Sequence, residues 1–180
     1  LRRVLLECIL REPNNPMLTV AKDGDDQEGS MASDATRAAA WVLSQSTASM
    51  PVTSQGVDAL QAEQGVKPRA FVNDTRWRGF VEWASFLGLV VNAGRTLIPN
   101  PARAIRGVLP AVFGGVRELP QELFFTRLAE ALPILDGGNY REQVEASVER
   151  PWRRMSIGEL SPASSLALQQ LESERSTSRR

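Results

Sequence analysis

The chain has 180 residues, 42% of them hydrophobic and 23% charged, with 21 basic side chains against 21 acidic ones. That length suits one ordinary domain or two small ones, and the composition is that of a soluble globular chain. Histidine is absent and cysteine occurs once, as Cys8, which excludes Ser-His-Asp and Cys-His catalysis, the commonest metal ligand and an internal disulfide.

No apolar run reaches the roughly 18 residues that a bilayer span needs, so no membrane association is expected. A lone cysteine fits a reducing, cytoplasmic compartment. The opening "LRRVLLECILREP" has no small-residue cleavage site and is interrupted by Glu7, so it reads as a helix of the fold and not as a signal peptide. Its first residue is Leu, which reads as a start inside a longer protein.

In chain order, residues 1–11 place Val4, Leu5, Cys8 and Ile9 at helical spacing, with Pro13 closing the element. Cys8 falls on the apolar side and is expected to be a buried, inert thiol. Residues 12–32 are polar, acidic and rich in turn formers, and read as an exposed loop. Asp34, or Ser33 before it, then caps an alanine-rich helix with Ala38, Trp41 and Val42 on one face. A break at 46–54 precedes a short helix that ends at Gly65.

Asn73 or Asp74 caps the next helix, where Trp77, Phe80, Val81, Ala84 and Leu87 make one continuous face. Trp77, Phe80 and Ala84 are expected to be buried. Trp83, about 240° from Trp77 around the wheel at about 100° per residue, implies burial of much of the remaining surface. Gly88 ends the helix, and "LVV" and "TLIP" flank the turn "NAGR" as a β-hairpin. Three helices followed by a hairpin are the parts of a winged helix.

Beyond it, Asn100 and Pro101 open a helix expected to break at Pro110. Pro120 starts another, carrying Leu123, Phe124, Leu128 and Leu132. Gly137 and Gly138 turn the chain into a helix from about Asn139. Ser161 and Pro162 open the last helix, with Leu166, Ala167 and Leu171 inward and the tail "RSTSRR" frayed. The reading is mainly α. Winged helix-turn-helix-like modules, built of helices plus a short β-hairpin, are joined by a helical segment. The divisions are 1–99 as an N-terminal module, 100–150 as connector, and 151–180 as the incomplete start of a second module.

Charge is unevenly distributed. Residues 1–74 hold seven basic and ten acidic side chains, and residues 75–117 hold six Arg against Glu82 alone. Residues 118–149 hold two Arg against seven acids, and residues 150–180 six basic against three acidic. Such asymmetry points either to a local anionic partner or to solvated helix faces of opposite sign. A recognition helix reads DNA with residues early in the helix, which nominates Thr75, Arg76 and Arg78, with Arg95 near the hairpin tip and Arg103 on the helix beyond it. The stretch "LSPASSLALQQLESE" resembles the recognition helix of bacterial winged-helix regulators. There Ser164, Ser165 and Gln169 are the candidate base readers, with Arg153 and Arg154 upstream as phosphate clamps. Asp25 with Asp26, and Glu172 with Glu174, read as solvated carboxylates. The glycine pairs of "FGGVR" and "DGGNYR" lack the spacing of a phosphate loop. No catalytic residue, metal ligand or cofactor is expected.

Five stretches, "SDATRAAAWVLSQ", "NDTRWRGFVEWASFLGLV", "LIPNPARAI", "PILDGGNYREQVE" and "LSPASSLALQQLE", together resemble the DpdG-type proteins of bacterial 7-deazaguanine DNA modification and restriction clusters. The resemblance implies a cytoplasmic phage-defence component that works on or near double-stranded DNA beside other protein subunits. It supplies no catalytic residues. The resulting expectation is a non-catalytic winged-helix DNA-binding or assembly subunit. The alternative is a protein-interaction scaffold that docks partner subunits without touching DNA.

Overall fold

Residues 36 to 45 are buried without interruption, and the rest of the fold is arranged around them. The structure, a computed structural model, describes residues 1–16, 18, 31–48, 50–149 and 159–177. Eight α-helices and one hairpin are seen among these residues: α1 Arg2–Ile9, α2 Met31–Ser44, α3 Ser54–Gln64, α4 Asp74–Leu87, β1 Val90–Asn92, β2 Leu97–Pro99, α5 Ala102–Phe113, α6 Gln121–Ala131, α7 Asn139–Ala146 and α8 Pro162–Thr177. The fold is mainly α with a two-stranded antiparallel sheet, the winged-helix-like class expected.

A helix apolar on every side must be enclosed, and α2 is: it packs on α7, α1, α8 and α4. Trp41 at its centre has no exposed surface. Its indole Nε1 donates to Gln64 Oε1 at 2.9 Å, while Gln64 Nε2 donates to Gln45 Oε1 at 2.7 Å. Helix α2 begins at Met31, upstream of the expected cap. Asp34 therefore lies in its first turn, where it pairs with Arg37 at 3.2 Å and Arg76 at 2.6 Å. Burial lowers the pKa of Arg37, and its pairing with Asp34 opposes that shift. Of the loop expected at 12–32, Glu12–Asn14 forms one 3-10 turn, and residues 17 and 19–30 lie outside the described residues.

The α3–α4 pair follows its local signals. Thr53 caps α3, and Gly65 stops it in the left-handed region. Buried Gln61 donates to Phe71 O at 3.1 Å and accepts from Phe71 N at 2.9 Å. This fixes Phe71 edge-on against Trp77, 4.9 Å between centroids. Asn73 Oδ1 accepts from Arg76 N at 2.9 Å and caps α4. Trp77 and Ala84 are buried as expected, but Phe80 is only half-buried and Trp83 is 57% exposed. The reason is that the side of α4 carrying them borders an open groove.

Gly88 adopts φ 80°, and the hairpin follows in the register Val90↔Pro99, Val91↔Ile98, Asn92↔Leu97. Asn100 Oδ1 accepts from Ala102 N at 3.1 Å at the start of α5, and Asn100 Nδ2 reaches Gln170 on α8 at 2.8 Å. Helix α5 does not break at Pro110 but continues to Phe113. Pro110 and Arg106, whose carbonyl loses its donor, are both exposed, so water can serve that oxygen. Leu123 is exposed, because α6 packs on α5 through Phe124 and Leu128. Helix α8 extends through Thr177, further than a frayed tail would allow.

Cys8 is half-buried rather than enclosed. Cys8→Ser is expected to cost about 1 kcal/mol or less, measured as the shift in a urea midpoint. A folded Cys8→Ser protein that lost partner or DNA binding would show the thiol to be functional.

Candidate functional site

Helix α4 presents Thr75, Arg76, Arg78, Glu82 and Trp83 to the surface. Its two arginines are both engaged: Arg76 with Asp34, and Arg78 with Asp74 at 2.6 Å. Neither pairs with the acidic block 118–149. With Glu82 added, the face carries no excess of positive charge. Exposed pairs contribute about 0–1 kcal/mol, so they order the arginines more than they stabilise the fold.

Between α1, α2 and α4 runs a groove of about 700 Å³. Its small residues include Ala32, Ala35 and Ala39 on α2 and Gly79 on α4, and its larger ones include Leu5 and Ile9 on α1 and Phe80 on α4. An ideal Cβ at Gly79 meets nothing within 4 Å, so this glycine opens into free space. Met31, 84% exposed, and Trp83 also line the groove, together with Thr75 and Arg76. From Thr75 to Leu87 the α4 wall is about 18 Å long at the helical rise per residue.

A second, smaller cleft lies across α1 and is lined by Arg2, Arg3, Glu7 and Arg103, over Leu6 and Val108. Arg2 lies over the Phe86 ring at 5.2 Å, and Arg3 pairs with Glu7 at 3.3 Å. Arg103 makes no ion pair among the described residues, and neither does Arg95 at the exposed hairpin turn.

The structure thus puts Thr75 and Arg76 on the groove, Arg78 beside them on α4, and Arg103 in a separate arginine-lined cleft. Gln169 is exposed and Ser165 half-buried. Ser164 is corrected as a base reader: it is buried, its N donates to Ser161 Oγ at 3.3 Å, and its own hydroxyl lies 3.3 Å from the same oxygen. Helix α8 packs on both α5 and α2, so it buries a face wider than a single apolar stripe. Arg153 and Arg154 lie outside the described residues. Sequence reasoning missed the groove, and it missed Arg2 and Arg3. The arginines were findable, since they precede Leu6 by four and three residues and so share its side of the helix. The groove was not, because it is made by three helices.

Among the described residues there is no cluster able to hold a metal ion, and no helix is long and apolar enough to cross a membrane. Fold and surface together define a mainly α, hairpin-bearing protein with an apolar groove beside its fourth helix. The chain belongs to the DpdG-like family, whose model matches residues 1–177. Membership associates it with the 7-deazaguanine DNA modification system. No curated protein and no solved structure matches it.

Proposed function

We propose that this chain is a non-catalytic, cytoplasmic assembly subunit of that modification system, and that its groove receives an amphipathic helix from another protein of the system. The groove carries the reading. Large apolar cavities open to solvent on a protein surface mark interaction sites. The small residues on two of its walls leave room for the large apolar side chains of an incoming helix at i, i+3/i+4 and i+7. An α4 wall of about 18 Å accommodates roughly three such turns. Exposed Trp83 supplies the aromatic anchor common at binding hot spots. An acidic residue on the incoming helix would compete with Asp34 for Arg76.

Gly79 provides the test. Gly79→Ala is expected to stabilise the protein by about 0.5–1 kcal/mol, because glycine is a poor helix former and nothing blocks the new methyl group. Gly79→Leu should fold equally well and fill the groove. Wild type is expected to co-purify with a second protein of the system at high salt, and Gly79→Leu to lose it. Retention by both Gly79→Leu and Trp83→Ala would overturn the reading, as would retention that disappears with salt. A second reading, direct DNA contact, is favoured by the guanidinium groups of Arg95 and Arg103, which make no ion pair among the described residues, and not by those on α4.

A further inference from the structure

We infer that the cleft between α1 and the start of α5 is a phosphate seat, and that Arg2, Arg3 and Arg103 hold the phosphodiester backbone of duplex DNA there. Helix α1 lies between the two sites, with Leu5 and Ile9 on the groove, Arg3 and Glu7 on the cleft, and Leu6 and Leu87 beneath both.

Three arginines line one small concavity, and among the described residues its only acid is Glu7. Like charges gathered around a partly enclosed, apolar-floored cleft repel one another. An anion relieves that repulsion, and the planar fork of arginine matches phosphate oxygens. Each arginine is held in a way that leaves its charge available. Arg2 is ordered by the Phe86 ring, which restrains a cation without neutralising it. Arg3 is paired only within its own helix, to a half-exposed Glu7, a contact that gives way readily. Arg103 is unpaired among the described residues, and its backbone is placed by close approach to Gly88, where an added Cβ would stand 2.6 Å from Arg103 Cβ. The hairpin leads directly into α5, so Arg95 at the hairpin turn and Arg103 in the first turn of α5 lie on consecutive elements. A duplex backbone offers successive phosphates to such an array, whereas a free phosphate uses the cleft alone. The chain has no net charge, which makes a local seat, rather than a diffuse basic surface, the means of holding DNA.

The test measures binding of the purified chain to a labelled DNA duplex across a salt series, with inorganic phosphate examined separately by calorimetry. Arg2→Ala and Arg103→Ala are both surface changes. Each is expected to weaken binding to unrelated duplex sequences to the same degree and to lower the slope of log K against log salt by about one unit. Arg117→Ala, past the far end of α5, is expected to leave both unchanged. Equal weakening by Arg117→Ala would replace the seat with a diffuse charge effect and overturn the proposal. So would duplex binding that ignores both Arg2→Ala and Arg103→Ala, or no binding of duplex at all. Phosphate bound without duplex would overturn the DNA backbone as the source. Partner capture by Arg103→Ala should equal that of wild type, which keeps failure here distinct from failure of the docking reading.

Discussion

Replacing Arg141 with alanine is expected to lower the stability of the folded chain by about 3 kcal/mol, the cost of breaking a buried charge pair. The side chain is only 2% exposed. Its guanidinium meets Asp136 at 3.4 Å, Glu145, and the Ala40 carbonyl of the central helix at 3.4 Å. Asp136 in turn accepts from Ser161 N at 2.8 Å, just ahead of α8. One arginine therefore ties α2, α7 and the entry to α8 together. Its removal leaves a mostly buried Asp136 carboxylate without its cation and opens a cavity beside α2. Glu145 is 32% exposed, so water partly compensates it, which places the estimate at the lower end of the range for buried pairs. For a chain of this size the melting temperature should fall by about 6–12 °C. Arg141→Lys should recover less than half, because a single ammonium cannot reach three acceptors on different elements. Urea denaturation of the three proteins measures this. A loss below about 1 kcal/mol for Arg141→Ala would mean that the network is dispensable.

The second large effect is expected at Gly88. This residue ends α4 at φ 80° and accepts from Ala104 N at 3.3 Å through its carbonyl. Gly88→Ala meets two penalties. A side chain in the left-handed region costs about 1–2 kcal/mol. The new Cβ also stands 2.6 Å from Arg103 Cβ, with the Ala104 amide at 3.3 Å. These are backbone-anchored atoms, so the first turn of α5 must move, for a total of about 2–4 kcal/mol. The components separate in a double change: Arg103→Gly in the Gly88→Ala background should restore the steric part and leave the torsional part. Equal stability of single and double variants would show that the close approach carries no cost. Because Arg103 lines the arginine cleft, Gly88→Ala should also weaken duplex binding.

The features legible from the chain alone are those decided within a few residues. Asn73, Gly65, Gly88 and the Ser161–Pro162 start mark helix ends because a nearby side-chain oxygen or a left-handed φ satisfies the terminal backbone groups locally. The hairpin around Gly94 is local in the same way, as its amide is taken by Asn92 Oδ1 at 3.0 Å. The family resemblance, too, rests on contiguous stretches and holds over residues 1–177. What the chain alone left open depends on how many neighbours each helix acquires. An apolar wheel cannot say that α4 is enclosed on the Trp77 side and open on the Trp83 side, because α1 and α2 form the other walls of that opening. Nor can it say that Ser164 is covered, because α8 is held between α5 and α2, or that Arg37 and Arg141 are buried cations while Arg76 and Arg78 remain at the surface. Helix ends are set by short-range hydrogen bonding. Burial, and with it both candidate sites, is set by contacts between residues far apart in sequence, and only the tertiary structure decides those.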